Sequence, residues 1–385
     1  NRLLELVSGK PGAFFISDIR LRDNRSPTIR GGGLLRVGAD ADQLKNLLDT
    51  FQDRIPKSQV QSAQIAGHAF TRLDINEQFP GITWGIVDNH LIFGFGQDSV
   101  ESMMQRMDGP APDWLTDVRT KLPIERPASV TYIHLARIFQ LIIEANNEPK
   151  LAQLFQLLGL DTVQAMATVN GLDDDGFVTR SLLTVDGAGR GLLSWIEAEP
   201  LTVDDLQRIG RDAPVAIAFK LDPARVYDFW INVIQFMEPR GAQSIDRDMR
   251  AFKEQVGISI RDEFLESLGD TWRIHAQPGA ASVMTGWTLA ISARNPALLA
   301  KTNAAFVAFA EHALANSNRQ SLDTSQIDGQ TIHTLELGQP GVPIAPSWCV
   351  TEDALYITLT PSALEQVFER SESEPSLIEV PEVKA

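Results

Sequence analysis

Two stretches far apart in the chain share one hydrophobic blueprint, and this restricts the fold more than any other feature. Trp84 to Met104 reads WGIVDNHLIFGFGQDSVESMM, and Trp348 to Phe368 reads WCVTEDALYITLTPSALEQVF. Aligned without a gap, these 21-residue segments carry a large apolar residue in both at nine positions, beginning with Trp84 against Trp348 and ending with Met104 against Phe368. Asp88-Asn89 faces Glu352-Asp353 where a two-residue turn would join the strands of a hairpin. Each segment then offers the spacing of a capping box, Asp98xxGlu101 and Ser362xxGlu365, with Thr360 before Pro361 as an alternative cap in the second.

The likeness extends upstream. GHAFTRLDI from Gly67 resembles GQTIHTLEL from Gly329, after which the second segment has a loop two residues longer. GGLLRVGADADQLKNLL from Gly32 aligns with GWTLAISARNPALLAKT from Gly286, each a strand that turns into a helix, and Asn295-Pro296 is a good cap and first-turn pair. One unit therefore reads strand, helix, loop, strand, hairpin, helix, over roughly Gly32 to Met107 and Gly286 to Arg370. Gly94xGly96xxSer99 sits between strand and helix as a dinucleotide turn would. It lacks the third glycine and faces Thr358xThr360xxAla363, so it reads as a scaffold position.

A second type of segment lies between these units. PASVTYIHLARIFQLI from Pro127 and APVAIAFKLDPARVYDFW from Ala213 each run from a proline through a β-rich strand into an apolar-periodic helix, with Asp222-Pro223 a helix start. Val226, Phe229, Trp230, Val233 and Met237 recur at three-to-four spacing and read as one buried helical face. Helices over Leu151 to Leu158 and Ile260 to Leu268 are each expected to close on a glycine, Gly159 and Gly269, in the left-handed position. LLELVSGKPGAFFISDIR from Leu3 looks like the same helix end followed by a strand, so the first module is expected to lack its opening strand and helix. The expected fold class is α+β: duplicated modules of mainly antiparallel sheet with helices packed on one face. The expected divisions are 1–120 as a first module, 121–212 as a shorter middle module, 213–370 as a second full module, and 371–385 as a solvated acidic Pro/Ser tail.

Composition narrows the function classes. Acidic residues outnumber basic ones 50 to 34, a formal charge of -16, which disfavours nucleic acid and anionic membrane surfaces as partners. No apolar run approaches the roughly 20 residues that cross a bilayer. Cys349 is the only cysteine, which rules out an internal disulfide and a cysteine-based zinc cluster, and it reads as a buried small apolar side chain.

The proline-marked strand-to-helix segments, the FLESLGD element at Phe264 to Asp270, and the WGIVDNHLIFGFG and SWCVTEDALYITLT hairpins together resemble a family of large exported bacterial proteins of planctomycete type, known as a domain of unknown function. The resemblance would cover most of the chain. It implies a periplasmic or otherwise extracytoplasmic setting and a precursor with an N-terminal signal or anchor, and it carries over no catalytic residue.

A search for chemistry finds no motif. The histidines His68, His90, His134, His275, His312 and His333 form no HxxxH or HExxH, and each reads as a half-buried or surface side chain. Asp173, Asp174 and Asp175 before Gly176 are a calcium candidate, but an EF-hand loop would then start at Gly171 and end at Leu182, and a polar hairpin turn is the preferred reading. There is no GxSxG or SxxK, and Gly31-Gly32-Gly33, expected to precede a strand, lacks the Lys-Ser/Thr of a P-loop and reads as close backbone packing or a loose turn. No cofactor is expected. The leading functional expectation is a non-catalytic exported scaffold or binding protein with a protein or small-molecule partner. The alternatives are a hydrolase with a carboxylate/His site in a cleft between modules, and a carrier of an apolar ligand.

Overall fold

The structure, a computed structural model, describes residues 6, 9–20, 28–74, 81–107, 109–146, 148–174, 176–195, 199–276, 285–315, 320–337, 344–370, 375–380 and 383. The described chain is α+β, with three sheets in which every pairing between strands is antiparallel. It divides into two compact units, Asn1–Ala152 with Val163–Asp186, and Gln153–Thr162 with Gly187–Ala385. Of residues 121–212, 121–152 and 163–186 fall in the first unit, and 153–162 and 187–212 in the second.

In the first unit, strands β1 (Gly12–Arg20), β2 (Thr28–Arg36), β3 (Val60–Ile65), β4 (His68–Leu73), β5 (Ile82–Val87) and β6 (His90–Phe95) form a sheet of order β1-β2-β6-β5-β4-β3. Helix α1 (Ala41–Gln52) links β2 to β3, and α2 (Ser99–Met107) and α3 (Asp113–Lys121) follow β6. Val100, Met103 and Met104 of α2 pack on Leu34, Ile65, Phe70, Val87 and Ile92, which is the core of this sheet. A three-stranded sheet follows from β7 (Arg126–Ile133), β8 (Val163–Asp173) and β9 (Gly176–Val185), with α4 (Leu135–Asn146) and α5 (Pro149–Leu158) between β7 and β8.

The second unit holds α6 (Val203–Leu206), β10 (Ala216–Lys220), α7 (Pro223–Met237), α8 (Pro239–Val256), a π-helical turn (Ile260–Leu265), β11 (Leu268–Ala276), β12 (Trp287–Ala293) and α9 (Pro296–Leu314). It continues with β13 (Ser321–Ile327), β14 (Gln330–Glu336), β15 (Ser347–Val350), β16 (Ala354–Thr358) and α10 (Pro361–Glu369). Its sheet has the order β10-β11-β12-β16-β15-β14-β13. With β10 set aside, this is the strand order of the first sheet. Successive residues of β12 point to opposite faces: Ala290 packs with Leu364 of α10, while Ile291 packs with Leu299 of α9. Helices therefore lie against both faces of this sheet, not one.

Trp84 and Trp348 both lie on strands. Trp84 stands opposite Phe93 and Thr71, and Trp348 opposite Ile357 and His333. Asp88 and Asn89 have φ of 46° and 63°, the pair of left-handed residues that a two-residue hairpin needs to match strand twist. At Glu352-Asp353 the turn is held differently: the Thr351 hydroxyl donates to Asp353 Oδ1 at 2.6 Å, and the Thr351 N–H to the Ala354 carbonyl at 2.9 Å.

Several local expectations are corrected. Gly94 pairs with Gly32 and Thr358 with Thr288, so the residue equivalent to Gly32 is Thr288, not Gly286. A shift of two leaves every side chain on its own face, so the alternating pattern is blind to it. Neither capping box forms in the expected way: Glu101 pairs with Arg72 at 2.9 Å, and α10 starts from Thr360 without a side-chain cap bond. Asn295 does cap α9, accepting from the Leu298 N–H at 3.1 Å, and Asp222 caps α7 through Ala224 and Arg225. The face expected to be buried on α7 is only partly so, because Trp230 is 46% and Met237 63% exposed; Ala224 and Val233 carry the buried contact. Gly31 to Gly33 lie inside β2 and do not precede it. A Cβ on Gly33 would strike the ring of Phe93 opposite, so the glycines make room for aromatic rings on neighbouring strands. Gly94 is likewise a packing position, where a Cβ would sit 2.8 Å from Val100 Cγ2.

Gly269 does not close a helix: it lies in β11. Gly159 does follow α5 with φ of 77°, and a Cβ there would collide with the Arg190 carbonyl. Gly159→Ala is expected to lose about 2 kcal/mol in urea unfolding, from left-handed strain plus a displaced backbone. Gly187 has a φ of 75° in open space, so Gly187→Ala is the control and is expected to lose about 1 kcal/mol from strain alone.

Candidate functional site

A groove of about 1460 Å³ opens on the second unit, around the tip of the β15–β16 hairpin. Its polar lining includes Arg273 and His275 on β11, Tyr356 on β16, Arg208 just after α6 and Arg370 with Ser376 beyond α10, together with the carboxylates of Asp204, Glu352, Asp353 and Glu379. Its apolar wall includes Pro296, Ala297 and Ala300 of α9 and Val350.

Each wall is pinned by identifiable bonds. Alternation along β11 puts Thr271, Arg273 and His275 on one face, all buried, with Trp272 and Ile274 on the other. The turn of α6 is fixed through Asp205, which accepts from the Thr202 backbone and hydroxyl and from the Thr271 hydroxyl, with Lys220 at 3.5 Å. Burial pushes the Asp205 carboxyl up, but these hydrogen bonds and the Lys220 charge outweigh it and hold the group below the usual carboxylate range. Arg208 reaches Asp353 Oδ2 at 2.6 Å and donates to the Tyr356 hydroxyl oxygen at 3.3 Å. Burial, with the Asp353 charge adding to it, pushes the Tyr356 phenol up, so it stays a neutral donor. Arg370 donates to the carbonyls of Arg208 at 2.9 Å and Pro375 at 2.8 Å.

The expected solvated tail is therefore docked where it is described. Gly210 bridges Ser376, the Leu377 N–H donates to the Ile209 carbonyl at 2.8 Å, and Ser376 with Glu379 forms a capping box. The signal was present in the sequence as SLIE, the box spacing itself.

Of the six histidines, two are not surface side chains. His275 is 5% exposed and His333 8%. Burial, then the nearby Arg273 and Arg370 charges, bring His275 down to about 4. His333 is also lowered by burial; its ring lies against Trp348, and its Nδ1 is 3.2 Å from the Thr324 hydroxyl. His134 serves α4, accepting from the Arg137 N–H at 3.2 Å, and His90 Nδ1 lies 2.8 Å from the Asp88 carbonyl. Cys349 is fully buried, and burial pushes its thiol up to about 11.

The calcium candidate is the tip of the β8–β9 hairpin, where Asp173 pairs with Gly176. Asp173 already accepts from the Glu125 N–H at 2.9 Å and from Arg180 at 3.3 Å; Asp174 lies in the turn, and Asp175 lies outside the described residues. Among the described residues, no group of three or more His, Cys, Asp or Glu side chains is placed to hold a metal ion.

The two sheets differ where the groove lies. In the first, the row across β1, β2 and β6 is Ala13, Leu34 and Ile92, all apolar. The corresponding row across β11, β12 and β16 is Arg273, Ala290 and Tyr356. Sequence reasoning singled out none of these three as a site, because Arg273 and His275 at alternate positions look like the solvent face of a half-buried strand.

Comparisons with protein-family models, with curated proteins and with solved structures gave no match to this chain. No helix among the described residues is long and apolar enough to cross a membrane.

Proposed function

We propose that the chain is a non-catalytic, exported binding protein built on a duplicated α+β module, with its ligand site in the groove of the second unit. The observation that carries this reading is the row Arg273, Ala290 and Tyr356, which replaces an apolar row at the same place in a sheet of the same strand order. A scaffold that closes with Ala, Leu and Ile has no structural need of a buried arginine and a hollow beside it. The chemistry of the groove favours binding over turnover. A histidine brought to about 4 by burial and neighbouring guanidinium groups is a poor proton acceptor at neutral pH.

A thermal-shift screen of a metabolite library is expected to raise the melting temperature for at least one chemical class, while ester, glycoside and peptide substrates stay at background rates. Turnover above background that disappears on His275→Gln would instead assign the groove to a hydrolase. The exported setting rests on the family resemblance, and recovery of the full-length protein in the cytoplasmic fraction of its native cell would remove it.

A further inference from the structure

Arg273 is 6% exposed, and its Nε is sealed from solvent with no hydrogen-bond partner. Among the described residues no carboxylate forms an ion pair with it, because Asp353, the acid beside Tyr356, is engaged by Arg208. A guanidinium is always charged, and burying it without a counter-charge is costly. Ala290, directly opposite Arg273, is the smallest member of its row and stands where the first sheet has Leu34, so space is left between Arg273 and Tyr356. Both flanking side chains and Ala290 itself line the groove.

We infer that the groove binds an oxyanion, the carboxylate or phosphate of a small molecule, seated on the Arg273 guanidinium in the hollow over Ala290 with the Tyr356 hydroxyl beside it. The inference rests on reading the groove as a ligand site and adds the class of ligand. A planar guanidinium matches both oxyanions through paired N–H donors, and Arg208 and Arg370 line the groove with Arg273, among the carboxylates of Asp204, Glu352, Asp353 and Glu379. Val367 and Phe368 of α10, which line the groove on the face of Ala290, would take the body of the ligand.

The test is thermal unfolding of the full chain at constant ionic strength, with inorganic phosphate and succinate as separate arms and chloride as the balance. The melting temperature of the wild type is expected to rise with at least one oxyanion, and the responding arm identifies the source. Arg273→Met is expected to weaken the apparent affinity by about ten-fold or more. It should also melt no lower than the wild type in chloride alone, since it removes an uncompensated buried charge. Should that variant fail to fold, Ala290→Leu keeps the charge and fills the hollow, and it is expected to lose the response as well. A wild type indifferent to both oxyanions, or a full response retained by either folded variant, would overturn the inference. A neutral ligand that binds wild type and Arg273→Met alike, but is excluded by Ala290→Leu, would leave the binding reading standing and remove only the oxyanion.

Discussion

Leu299→Ala is expected to destabilise the second unit by about 3–5 kcal/mol, the range for a buried leucine whose surroundings collapse only partly into the cavity. Leu299 is fully buried on α9, packed with Leu268, Ile291 and Leu355 and bordered by Phe264, Trp272 and Trp348. Two of those neighbours are restrained: the Trp272 indole donates to the Leu221 carbonyl at 2.8 Å, and the Trp348 indole to Asn303 Oδ1 at 2.8 Å. Rings held by such bonds cannot swing into the space a leucine leaves. Leu298, its half-buried neighbour, is the control, and Leu298→Ala is expected to cost about 1 kcal/mol. Urea unfolding followed by tryptophan fluorescence measures both. A loss at Leu299 no larger than at Leu298 would mean that α9 does not seat on the sheet as described.

Stability should also fall as the pH drops from about 6.5 toward 4. His275 is brought to about 4 in the folded chain against 6.5 when unfolded, so between those values the unfolded state binds more protons and stability rises with pH. At about 1.4 kcal/mol per unit, the full contribution is about 3 kcal/mol, present above pH 6.5 and lost as the pH falls toward 4. His333, also lowered by burial, adds in the same direction. The carboxyls of Asp205 and Asp222 are held below their usual range, in each case because hydrogen bonds and a neighbouring cation outweigh the opposing effect of burial, and their loss of stability begins at lower pH. The slope between pH 6.5 and 5 therefore belongs to the histidines. His275→Gln should flatten most of it in denaturant titrations across that window, and an unchanged slope would refute the burial of a neutral imidazole.

How much was legible follows the range of the interactions. Helix starts at Asn295-Pro296 and Asp222-Pro223, the Asp88-Asn89 turn, the glycine after α5 and the strand placement of both tryptophans are settled within a few residues, and the sequence carries them. The first capping box failed because Glu101 had a partner outside its own helix, Arg72, which no local pattern reveals. The face of α7 was overestimated because periodicity marks which residues are apolar, not how wide an arc the neighbouring elements cover.

The groove lay beyond reach for the same reason. Arg208 and Tyr356 are 148 residues apart, and Asp353 joins them only because a hairpin tip meets the residue after α6. Sequence alone determined that two distant parts of this chain carry one alternating pattern of strand, turn and helix, since that pattern is written in side-chain polarity at short spacing. Only the tertiary structure decided the register, which alternation leaves open to a shift of two, which faces the helices cover, and that a buried arginine stands across a hollow from a tyrosine. Alternation repeats every second residue and cannot count strands, whereas the pairing of backbones across a sheet can.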